Sequence, residues 1–170
     1  MEDRSKTRLP NSIFFFLVLV GAVQAYSYAA RMPQPIASHF GGGGMVNGWQ
    51  SRVAFFCTEL GVMVLASVIA FGLPRIMGAM PLSLINVPNK EYWFGPGKRA
   101  DTLVFFNVQF AWFGCALLAF LLFVNELVFR ANLTYPHRLT TNAFVTAMAI
   151  FLTFVVVWIV RLILRFSRPQ

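Results

Sequence analysis

Acid–base, nucleophilic or metal chemistry in this chain would have to come from very few side chains. Six acidic residues, two histidines and two cysteines are spread over 170 residues. Glu59 and Glu126 lie inside long apolar stretches, where a buried charge costs about 2.5–3.5 kcal/mol and the group must be protonated, paired or wet. His39 and His137 fall in separate polar segments without the spacing that marks a zinc site, so no metal or other cofactor is assigned. No helix-borne pair of His and Glu, no serine in a nucleophile turn and no pair of catalytic acids at a defined spacing occurs. The chain is therefore read as a non-enzyme. Gly41 to Gly44 do not read as a phosphate cradle, because no strand is expected before them and no Lys-Ser or Lys-Thr follows. Cys57 and Cys115 are expected at different depths and are not paired.

The elements that must position these residues are set by composition. Hydrophobic residues make up 58% and charged residues 12%, against about 45–50% and about 25% in an average soluble chain. A surface of this size cannot cover 19 Phe and 4 Trp. Disorder and a disulfide scaffold are excluded on the same count. About 20 apolar residues cross a bilayer, and four stretches qualify, at 12–30, 53–73, 102–129 and 143–164. The first is long enough to span, so it reads as a transmembrane helix rather than a cleaved secretory signal. The expectation is one all-α integral membrane domain, a bundle of four transmembrane helices. Ten Lys and Arg fall in the two tails and the middle loop, and four in the other two loops. That asymmetry puts both termini and loop 74–101 in the cytoplasm, with loops 31–52 and 130–142 facing outward. The net charge of +8 then reports topology and attraction to anionic headgroups rather than nucleic acid.

Depth counting along the spans suggests an outward-opening polar pocket built from Gln24, His39, Glu59, Asn125 and Glu126. The simpler alternative is a single hydrogen bond from Glu59 to one neighbouring helix. Loop 31–52 reads as a Gly-rich linker, with a turn at Asn47-Gly48 followed by Trp49 as an interfacial anchor. Tyr92-Trp93 reads as a second anchor in the headgroup layer, in a loop with little regular structure. Asn107 and Gln109 read as separate interhelical hydrogen bonds, and Arg161 as a snorkelling cation.

Three segments carry a family resemblance. PQPIASHFGGGGMVNGWQSR resembles the outward loop of a bacterial membrane domain of unknown function, shared with an immunity membrane protein against a sporulation-delaying toxin. Pro33, Ile36, His39, Phe40, Gly44, Gly48, Trp49 and Ser51 match its usual form. INVPNKEYWFGPGKR is similar to the Asn-x-Pro-Asn-Lys-x-Tyr-Trp segment that often follows, and RANLTYPHRL to its third-loop Ala-Asn-Leu pattern. Gly41 stands where that family often has Asn, and Asn47 where it often has Asp. The resemblance implies a bacterial cytoplasmic (inner) membrane location and an immunity- or signalling-like role. Candidate ligand-binding residues are then His39, Phe40, Gly44, Gly48 and Trp49, together with Gln24, Glu59, Asn125 and Glu126. Candidate cytoplasmic interface residues are Asn86, Pro88, Asn89, Lys90, Tyr92 and Trp93. The expected partners are the lipid bilayer, a peptide on the outer face, and other membrane subunits or a homodimer. Two other roles compete: an accessory subunit packed against a larger membrane complex, and a small proton-conducting protein using Glu59 and Glu126.

Overall fold

The computed structural model describes residues 2–169. Met1, Gln170 and the side chain of Arg4, which entered the expectation about the two chain ends, lie outside the described residues. The elements in order are α1 (Glu2–Ala29), β1 (Ile36–Phe40), β2 (Val46–Gln50), α2 (Arg52–Ser67), α3 (Leu73–Ala79), α4 (Lys90–Trp93), α5 (Arg99–Leu133) and α6 (Thr141–Ser167). Four helices are long and apolar enough to cross a membrane: Ser5–Ala29, Arg52–Ala79, Arg99–Leu133 and Thr141–Ser167. In lipid a helix satisfies its own backbone, which is why apolar runs of this length fold so. The chain is a mostly helical, multi-pass membrane protein.

The helices overrun the stretches marked by hydropathy. The first continues through Pro10, whose carbonyl accepts from Cys115 Sγ at 3.2 Å. The second is continuous from Arg52 to Ala79 but changes its winding at Val68–Gly72, a π segment in which the Leu73 amide reaches back to the Val68 carbonyl. Pro74, which has no N–H to donate, follows where the regular ladder restarts. The 35 residues of α5 extend about 52 Å, against a hydrocarbon core of about 30 Å.

α5 is the hub, and α1, the α2–α3 helix and α6 each pack on it. Against α1 and α2–α3 the contact is close. Phe14, Ala66, Ala70, Cys115 and Leu118 form a buried cluster. A Cβ on Gly114 would lie 2.6 Å from the Ala70 Cβ and 3.0 Å from the Phe14 ring. Small residues let membrane helices approach until dispersion contacts and weak polar contacts hold them. Against α6 the contact is aromatic: Phe120 stacks on Phe151 at 4.8 Å, Phe113 meets Trp158 at 4.8 Å, and Trp158 Nε1 donates to the Gln109 carbonyl at 3.3 Å. Phe166 is the one buried side chain of α6 among the described residues.

At the end where α6 finishes, loop 80–98 folds over Phe166. Asn89 Nδ2 and Trp93 Nε1 both donate to the Phe166 carbonyl, at 2.9 and 3.1 Å, and so occupy an acceptor at the open end of the helix. Thr102 Oγ1 holds the Trp93 carbonyl at 2.8 Å, and Arg99 Nη2 donates to the Gly78 carbonyl at 3.0 Å. Trp93, expected as an interfacial anchor, is instead a buried cap in a cluster with Ile85, Phe94, Phe106 and Phe166. Tyr92 lies 4.6 Å beneath the Lys98 ammonium. The amide of Asn107, expected to bridge helices, bonds back to Leu103 of its own helix at 2.9 Å.

At the other end the expected linker is a β-hairpin. β1 and β2 pair antiparallel, Ile36 opposite Gln50 and Ala37 opposite Trp49, with irregularities around His39. The turn lies at Gly42–Gly44, not at Asn47-Gly48, which falls inside β2. A strand therefore does precede the glycine run, though the absent Lys-Ser or Lys-Thr still separates it from a phosphate cradle.

Candidate functional site

The hairpin is too short and too rich in Gly to stand alone, and helix ends hold it from both sides. Asn132, 3% exposed near the end of α5, donates Nδ2 to the Ala37 carbonyl and accepts the Ala37 amide on Oδ1, both at 2.8 Å. The side-chain amide thus stands in for a neighbouring strand. Arg52 Nη2, at the start of α2, donates to the Met32 carbonyl at 2.5 Å, and Ser51 Oγ accepts the Ala54 amide at 3.2 Å, capping α2. On the far side, the Leu139 amide donates to the Gly44 carbonyl at 2.9 Å and Arg138 Nε to the Gly43 carbonyl at 2.8 Å. Met45 forms a bridge with Arg138. Gly44 has φ +77°, and a Cβ there would sit 2.2 Å from the Leu139 carbonyl oxygen, so the turn and the close approach both require glycine. Below the hairpin Met32, Ile36, Phe55, Val128 and Phe129 form its buried floor, with Phe40 packed against them.

The opposite face is presented outward by strand alternation. Met45, Asn47 and Trp49 are exposed while Val46, Gly48 and Gln50 are half-buried. Trp49, 49% exposed, meets the His137 ring edge-on at 5.7 Å. Tyr135, 93% exposed, meets the same ring at 6.2 Å. His39 and Asn47 hydrogen-bond across the hairpin on this side, and Gly48 lies opposite His39. The face is a small aromatic and thioether patch on a fixed base.

The five residues read as one pocket form three separate sets. Glu126 accepts from Gln24 Nε2 at 3.0 Å, Tyr28 Oη at 2.8 Å and Arg130 Nε at 2.6 Å. Glu59 accepts from Asn125. His39 belongs to the hairpin. Asn125 and Glu126 are consecutive on α5, so their side chains leave the helix about 100° apart, and each serves a different neighbour. Gln24 Nε2 also reaches the Leu122 carbonyl at 3.2 Å, while its buried Oε1 has no partner among the described residues. Of the second candidate group, Asn89 and Trp93 cap α6, Lys90 and Tyr92 are half-buried, and Asn86 and Pro88 are exposed in the loop.

Asn132, Tyr28, Arg130 and Arg138 were missed as site residues. Asn132 stood within the matched Ala-Asn-Leu pattern, and its apolar neighbours were the signal: a polar amide among them needs a backbone partner. Among the described residues no three His, Cys, Asp or Glu side chains converge on a point, and the two cysteines are free, Cys57 exposed and Cys115 buried. What the geometry offers is a rigid surface for recognition. No known protein family, curated protein sequence or solved structure matches the chain.

Proposed function

We propose that the chain is a non-enzymatic, multi-pass protein of the bacterial cytoplasmic membrane that recognises a peptide ligand on its outer face, in an immunity- or signalling-like role. The hairpin end is assigned to the outside and both termini to the cytoplasm, supported by the excess of Lys and Arg at the opposite end. One observation carries the reading: the hairpin is fixed from both sides, by Asn132 and Arg52 and by Arg138 with the Leu139 amide, yet turns Met45, Trp49 and Tyr135 away from the protein. A pre-ordered apolar and aromatic surface lowers the ordering cost of binding. Both Ala37 backbone groups and the Met45 position are already engaged, so recognition runs through side chains rather than strand addition. The loop resemblance to the toxin-immunity family points the same way.

A second role, an accessory subunit, draws on α6, which packs on α5 along one side and leaves Val156, Ile159 and Ile163 exposed. Photo-crosslinking amino acids at Trp49 and at Ile159 in living cells separate the two. Recognition predicts a discrete adduct from position 49 that disappears on Tyr135→Ala. A discrete adduct from position 159 alone would refute it in favour of the accessory role. Cys labelling at Asn47 from the outer face tests the topology.

A further inference from the structure

A groove of about 680 Å³ runs between α5 and α6 on the hairpin side of the bundle. It exists because both walls are lined by small residues: Ala116 and Ala119 on α5 face Ala143, Thr146 and Ala147 on α6. Phe120, Phe123 and Ile150 shape its sides. It runs from Asn142 to Phe154, about 18 Å along the helix. Beyond that, Phe113, Phe154 and Trp158 close the gap between the helices. At its mouth, through Asn142, the groove meets a polar hollow of about 330 Å³ lined by Arg138, Thr140 and Thr141.

Length decides the occupant. Half of a bilayer's hydrocarbon is about 15 Å, so the groove is one leaflet deep. A partner helix must cross about 30 Å and would run off the end of the groove onto the Phe113–Trp158 contact. A single lipid tail would not. The polarity changes where a lipid's does, apolar below Asn142 and polar above. Arg138 supplies the charge: among the described residues its guanidinium donates only Nε to the protein, which leaves the Nη groups for a phosphate.

We infer that the α5–α6 groove is a specific site for an anionic glycerophospholipid of the hairpin-side leaflet, its tail between the alanines and its phosphate at Arg138. The site is independent of the hairpin's ligand, since Trp49 and Tyr135 take no part.

The test is native mass spectrometry of the full-length protein, delipidated in mild detergent and supplied with equal amounts of phosphatidylglycerol and phosphatidylcholine of identical chains. One retained lipid is expected, with phosphatidylglycerol favoured about five-fold, the factor for one interfacial cation near an anionic headgroup. Arg138→Gln should remove the preference and Arg138→Lys restore it, while Arg31→Gln, at the same end of the molecule, should leave it. Ala119→Phe fills the groove from an exposed position and should abolish retention of both lipids; Ala143→Leu replaces it if that variant is not monodisperse. The proposal fails if wild type shows no preference, if Arg31→Gln acts like Arg138→Gln, or if the filled groove still holds lipid. A disulfide between copies through Ala119→Cys would also overturn it, by putting a second chain in the groove.

Discussion

The two flanks of α5 are held by different means. Toward α1 and the α2–α3 helix, Gly114 meets Ala70 and Phe14 at distances that leave no room for a methyl group, and Gly21 presses on Met63 and Leu122. Toward α6 the same helix offers Phe113, Phe120 and the Gln109 carbonyl, and beyond those rings the two helices stand apart. Lipid chains are as apolar as the side chains they would replace, so hydrophobicity alone cannot drive the helices together. Shape must do it on one flank. On the other a few aromatic contacts suffice, and an opening remains.

Breaking the close flank should have the largest effect. Gly114→Val places carbon where Ala70 and Phe14 already are, and overpacking of this kind should cost about 3 kcal/mol. An SDS-titration unfolding curve measures it, and an unchanged midpoint would refute the tight packing. Next comes Asn132→Ala, which strips the Ala37 amide and carbonyl of their partner and should cost about 2–3 kcal/mol. The same curve reports it, and hydrogen exchange at the Ala37 amide should accelerate while exchange in the middle of α5 stays slow. Trp158→Ala probes the looser flank. It should cost about 1 kcal/mol, less than in a water-soluble core because lipid fills the space, yet widen the α5–α6 separation measured between spin labels at Phe123 and Ile150. Smallest of all is Ala119→Val at the open groove, which should stay within about 0.5 kcal/mol of wild type. If it matched Gly114→Val, the two flanks would not differ as described.

The sequence made the four helices legible because length and apolarity suffice in lipid, where no other open structure satisfies the backbone. Their ends were not, since α1 continues past Pro10 and α5 beyond the polar residues that seemed to bound it. The hairpin was hidden for a physical reason: IASHF and VNGWQ are weak strands, and the partner that completes β1 is Asn132, 95 residues away. The grouping of Glu59, Asn125 and Glu126 followed depth but ignored azimuth, and consecutive residues on a helix do not face one neighbour. The Tyr92-Trp93 pair followed interfacial statistics, whereas the exposed carbonyl at the end of α6 supplied a nearer partner for the indole N–H.

The wide turn at Val68–Gly72 sets the bearing of everything after it on the second span. A regular helix advances about 100° per residue, so deleting one residue there would restore the ordinary winding and swing Leu73–Ala79 around the axis by about that angle. Gly78 would carry its carbonyl away from Arg99, and the chain would enter the loop over Phe166 from the wrong side. A single surplus residue thus acts as a compass setting for the far end of the bundle, and a one-residue deletion should do more harm there than most substitutions.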